Sequence, residues 1–112
     1  MGEKTLDELK GEFLRKLNSL SAEAENAFDA ANSNMREFYR RRLARYFMRA
    51  NYTVVLERLN RNLYPADFLQ EKLGQMEEMT NNLRKIKHAT ELGARAPSAY
   101  DVETFTVKNE EQ

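Results

Sequence analysis

The sequence predicts an all-α protein: three amphipathic helices at about residues 5–32, 35–62 and 66–92, packed as an antiparallel bundle or a long helical hairpin, with an extended or disordered C-terminal tail. Three observations predict it. Apolar residues recur at helical spacing in three successive stretches. Helix breakers are scarce, with two prolines and four glycines in 112 residues and none of either between Glu12 and Tyr64. Charged residues make up 32% and hydrophobic residues 41% of the chain, a balance that suits a folded helical protein rather than a disordered one. A chain of this size buries roughly two-thirds of its unfolded surface, so residues 1–93 are read as one helical domain and 94–112 as its tail.

The first helix has a start signal in Thr5 followed by Glu8, the spacing of a capping box in which hydroxyl and carboxylate each serve the other residue's backbone N–H. Leu6, Leu9, Phe13, Leu17, Leu20, Ala24, Ala27, Phe28 and Ala31 then hold one narrow stripe. Gly11 falls on the opposite side. The stripe changes from leucine to alanine halfway along, which lets a neighbouring helix approach more closely in its second half. Alanine's helix propensity explains the change equally well. Ala31-Asn32-Ser33-Asn34 supplies the first break, and Asn34 with Glu37 repeats the capping-box spacing.

The second helix carries the most unusual stretch, MREFYRRRLARYFMRAN from Met35 to Asn51. At 100° per residue, Met35, Tyr39, Leu43, Tyr46, Phe47 and Ala50 share one face, and Arg41, Arg42, Arg45 and Arg49 the opposite one. Phe38 lies among the arginines, either as a contact point for a partner or covered by arginine stems. Beyond Asn51 the apolar stripe moves by roughly half a turn, because Tyr52, Val55, Leu56, Leu59 and Leu63 repeat on the side that carried the arginines. A broken helix produces such a shift, and so does a continuous helix whose two halves meet different neighbours. With no Gly or Pro nearby, continuity to about Asn62 is the expectation, although the β-branched run at 53–55 weakens it.

Pro65 in Asn-Leu-Tyr-Pro-Ala-Asp disfavours helix at Tyr64 and presets the first turn of the third helix, with Asp67 and Glu71 near its N-terminus. Leu69, Met76, Met79, Thr80, Leu83, Ile86 and Thr90 form its stripe, with Phe68 at the margin. Gly74 weakens the helix by about 1 kcal/mol. Gly93 is placed for a left-handed C-terminal cap. After Pro97, residues 102–107 alternate as a strand would, with Glu103, Phe105 and Val107 on one side, but no other segment offers a sheet partner. A tail is therefore the expectation.

The sequence has no cysteine, hence no disulfide, no thiolate nucleophile and no Cys-based zinc site. Its charge-free run at 50–56 falls far short of the ~20 residues of a membrane span, so a cytoplasmic or nuclear chain without a membrane partner is expected. His88, the only histidine, sits among lysines as a helix-end cation. No nucleophile elbow, phosphate loop or Glu-x-x-His signature is present, and the expectation is a non-enzyme with no catalytic residue, metal or cofactor.

The formal net charge is zero but unevenly spread. Residues 31–64 carry eight arginines against two carboxylates, or +6, whereas residues 1–30 and 65–112 each carry −3, from four cations against seven carboxylates and from six against nine. The leading expectation is a protein-interaction module acting as adaptor, regulator or assembly subunit. Phe38, Arg41, Arg42, Arg45 and Arg49 would form a basic partner-binding face, and Tyr52, Val55, Leu56, Leu59 and Leu63 a second apolar face for a partner or for another copy in a homo-oligomer. The alternative is nucleic-acid binding through Arg40, Arg41, Arg42, Arg45 and Arg49, with Phe38 and Tyr52 as stacking residues. The zero net charge and pI near 6.6 weigh against it.

Overall fold

The computed structural model describes residues 4–28 and 35–91, which form α1 (Leu6–Phe28), α2 (Arg36–Met48), α3 (Tyr52–Asn60) and α4 (Ala66–Glu91). No strand occurs among these residues. The tail from 94 onward, the alternating stretch at 102–107, the break at 31–34 and the Gly93 cap lie outside the described residues, as does the side chain of Thr90.

The capping box forms as its spacing predicts. The Thr5 N–H donates to the Glu8 carboxylate at 2.8 Å, and the Glu8 N–H donates to the Thr5 hydroxyl at 3.1 Å. From there Leu9, Phe13, Leu17, Leu20, Ala24 and Ala27 are buried in one stripe. Ser21 joins them, its hydroxyl satisfied within the helix by donating to the Leu17 carbonyl at 2.8 Å.

α1 packs against both α4 and α2. Lys16 pairs with Glu77 and Arg84 with Glu23, a constant offset of 61 residues that makes α1 and α4 parallel. Arg40 donates to Asn18 and Arg36 pairs with Glu25, so α2 runs antiparallel to α1. Asn34, the expected cap of α2, lies outside the described residues, and the helix follows Met35. Glu25, only 5% exposed, accepts the Met35 N–H at 2.9 Å and meets the Arg36 guanidinium at 3.3 Å. A carboxylate on α1 thus supplies the anionic acceptor that a helix N-terminus favours.

The expected continuous second helix, and with it the count of three, is corrected by the structure. α2 stops at Met48, Arg49 takes a left-handed conformation (φ 56°, ψ 38°) with its N–H donating to the Arg45 carbonyl at 3.0 Å, and α3 begins at Tyr52 after an extended Asn51. A left-handed conformation costs an L-residue about 1–2 kcal/mol. Breaking the helix returns the displaced stripe to the core, where Val55 is 0% and Leu59 2% exposed. Burial of two such side chains contributes roughly 3–6 kcal/mol, which exceeds the backbone cost. The absence of glycine therefore does not prevent the break.

α3 ends in a Schellman motif: Asn62 has φ 57°, its N–H donates to the Leu59 carbonyl at 3.0 Å, and the Leu63 N–H donates to the Arg58 carbonyl at 2.9 Å. Lys10 of α1 donates to the Asn62 side chain at 2.8 Å and ties this turn to the first helix. Pro65 then opens α4 where the sequence places it, its carbonyl accepting the Leu69 N–H. The α4 stripe of Leu69, Met76, Met79, Thr80, Leu83 and Ile86 is buried, with α1 as its main neighbour.

Candidate interaction surface

Because the chain turns between Met48 and Tyr52, the outer face of α2 and the first turn of α3 enclose an open groove of about 670 Å³. From α2 it is lined by Glu37, Phe38, Arg41, Arg42 and Arg45, and from the turn and α3 by Asn51, Tyr52, Thr53 and Val54. The helical repeat sets Arg41 and Arg45 one turn apart on the same side of α2, about 6 Å along the axis.

Among the described residues, three guanidinium groups line this groove against one carboxylate. Glu37 meets both Arg40 and Arg41, the latter at 3.4 Å. Arg42 stands 6.0 Å from the Phe38 ring centroid and Arg40 5.6 Å from that of Tyr52, so each aromatic ring has a guanidinium over it. Phe38 still exposes 42% of its surface, and its ring meets Tyr39 edge-on at a centroid distance of 5.2 Å. Arg45 is exposed and has no carboxylate within ion-pair distance among the described residues. The surface therefore offers positive charge beside half-covered apolar area, the chemistry that receives an anionic group with an apolar neighbour.

The structure brings Phe38, Arg41, Arg42 and Arg45 of the expected basic face together with Tyr52 of the expected apolar face. Arg49 is placed elsewhere, in a depression of about 460 Å³ between α2 and α4 with Tyr46, Phe47, Lys72 and Glu78. Val55 and Leu59 are in the core, Leu56 is half-buried, and Leu63 is 57% exposed beyond the end of α3. The five residues do not form one open face, because the break that buries Val55 and Leu59 leaves Tyr52 at the groove and Leu63 at the opposite end of α3. Thr53 and Val54 line the groove without standing out in the sequence, where the phase shift at Asn51 is the available signal for them.

No protein-family model matches this sequence, and comparison with curated proteins and with solved structures finds no match either. Among the described residues no three His, Cys, Asp or Glu side chains converge as a metal ion would require, and no helix is long and apolar enough to cross a membrane.

Proposed function

We propose that this chain is a non-enzymatic protein-interaction module whose α2–α3 groove receives an acidic segment of a partner protein carrying an apolar side chain. The observation that carries the reading is the groove itself: Arg41, Arg42 and Arg45 line one cleft with Phe38, Tyr52 and Val54. An excess of positive charge, three guanidinium groups against the Glu37 carboxylate, beside apolar area gives both steering and a buried anchor.

Nucleic-acid binding is the weaker reading. A base stacks on an aromatic face, but Phe38 and Tyr52 each have a guanidinium over the ring. Self-association through a spare apolar face loses its motive with Val55 and Leu59 buried in the chain.

The test is selection of a randomised peptide library on the full chain and on its Arg41→Glu/Arg45→Glu variant. Enrichment of acidic, aromatic-containing peptides by the parent and not by the variant supports the reading. Both arginines are exposed, so helicity and melting temperature should stay nearly unchanged in the variant. No enrichment, or equal enrichment by both proteins, would sink it. A salt-dependent shift of labelled single-stranded RNA by the parent alone would transfer the groove to nucleic acid.

A further inference from the structure

We infer that the groove has an occupant within the same chain: residues 100–107, Tyr-Asp-Val-Glu-Thr-Phe-Thr-Val, dock in it as an extended segment and compete with any external acidic ligand. The inference rests on the reading of the groove as a receptor for acidic segments and names the first such segment it meets.

Charge is the first argument. Residues 100–112 hold Asp101, Glu103, Glu110 and Glu111 against Lys108 alone, a net −3, whereas among the described residues the groove presents three guanidinium groups and one carboxylate. Spacing is the second. In an extended chain alternate side chains share a face, so Asp101, Glu103, Phe105 and Val107 form a row that is anionic at one end and apolar at the other. Alternate residues of an extended chain repeat every ~6.6–6.8 Å, close to the ~6 Å rise between Arg41 and Arg45 on α2. Two carboxylates can therefore meet two successive guanidinium groups while Phe105 and Val107 continue along the half-covered area of Phe38, Tyr52 and Val54.

Reach is the third argument. α4 runs parallel to α1 and α2 antiparallel to it, so the C-terminus of α4 and the N-terminus of α2 point to the same end of the molecule. Asp101 lies ten residues beyond Glu91, enough to span about 33 Å. The molecule measures 44 × 31 × 24 Å, so this length covers either of its shorter dimensions, and the groove begins near the start of α2 at Glu37 and Phe38.

The experiment uses the full chain. The sequence contains no cysteine, so Thr104→Cys, on the side of the segment facing away from the row, carries a single nitroxide. The expected result is broadening of amide resonances of Arg41, Arg45 and Thr53 that does not change with protein concentration and is relieved by Asp101→Lys/Glu103→Lys. Broadening that is absent, or spread evenly over all four helices, overturns the inference. Broadening that appears only on mixing labelled with isotope-enriched unlabelled chains overturns it in favour of a second copy. A second measurement adds a fluorescein-labelled peptide of residues 99–112. If the segment is docked about nine-tenths of the time, Asp101→Lys/Glu103→Lys should bind this peptide about tenfold more tightly than the parent. Equal affinity with no broadening removes the intrachain occupant and leaves the proposed function standing; broadening together with a failed library selection does the reverse.

Discussion

The guanidinium of Arg40 lies 5.6 Å from the centroid of the Tyr52 ring, a contact that bridges α2 and α3 across the break between them. Such a contact is worth about 0.5–1 kcal/mol at a partly exposed site, less than the cost of the left-handed residue at the break. The two helices are held at their angle chiefly by what each buries. Leu43 and Phe47 from α2, with Val55 and Leu59 from α3, enter the same core that α1 and α4 supply.

Arg49 is therefore a residue whose side chain the break does not need and whose backbone conformation it does. Arg49→Gly removes the ~1–2 kcal/mol strain of the left-handed conformation and gives part of it back through a more flexible unfolded chain. The variant should be more stable by about 0.5–1 kcal/mol, read from urea unfolding with an unchanged slope. A loss of stability would show that the guanidinium, in its depression beside Lys72 and Glu78, contributes more than the backbone strain costs.

Glu25 should be the most sensitive charged residue on α1. It is buried, accepts the Met35 N–H and meets Arg36. Glu25→Ala removes that acceptor and should cost about 1.5–3 kcal/mol, the range for hydrogen bonds to charged groups. Glu25→Gln keeps a carbonyl oxygen in place and should recover part of the loss. Equal stability of all three chains in urea would mean that water replaces the carboxylate at the start of α2.

The legible parts of the fold are those decided locally. The cap of Thr5 with Glu8, the Pro65 start and the stripes of α1 and α4 depend on residues within a turn or two of one another, and each appears where its pattern puts it. The break at residues 49–51 depends on how much Val55 and Leu59 gain in a core built by other helices. Its traces in the sequence are the half-turn shift of the stripe and the β-branched run at 53–55, neither of which excludes a continuous two-sided helix. Glu25 is hidden for a similar reason: a carboxylate between Ala24 and Asn26 on the rim of a stripe reads as solvated until α2 is folded against it. Of the basic face, Phe38, Arg41, Arg42 and Arg45 are legible from the helical wheel, whereas Arg49 leaves the wheel where the helix ends.

The pairing of α1 with α4 should show in acid. The Glu77 carboxyl is held below its ordinary value of 4.5, first by the hydrogen bond from Lys16 and then by the Lys16 charge; desolvation opposes them, and the Arg84 charge adds the weakest contribution. A carboxylate whose folded pKa is lowered stabilises the fold above its unfolded value, and that contribution is lost as pH falls through the folded one. The pair should therefore make stability decline as pH drops below about 4.5. Lys16→Met should flatten that decline while changing neutral-pH stability little, because Glu77 is exposed and solvent screens the pair. Superimposable acid-unfolding curves for parent and variant would show that the bridge between Lys16 and Glu77 makes no net contribution.

The burial of Leu43 and Leu59 reverses the behaviour that a two-sided continuous helix would give. In that arrangement Leu59 faces another protomer, so Leu59→Ala makes the melting temperature depend more steeply on protein concentration while Leu43→Ala lowers it uniformly. In this fold Leu43 is 0% and Leu59 2% exposed in one core, on helices joined by the turn at residues 49–51. Each truncation should cost about 2–5 kcal/mol through lost transfer energy and the cavity left behind, and neither cost should change with concentration. Leu63→Ala serves as the control: at 57% exposed, just past the Asn62 turn, it should cost no more than about 0.5 kcal/mol. A melting temperature that rises with concentration in the parent, and more steeply in Leu59→Ala alone, would place Leu59 at an interface between copies. The left-handed turn at Arg49 would then have to be held by the partner helix rather than by the core of its own chain.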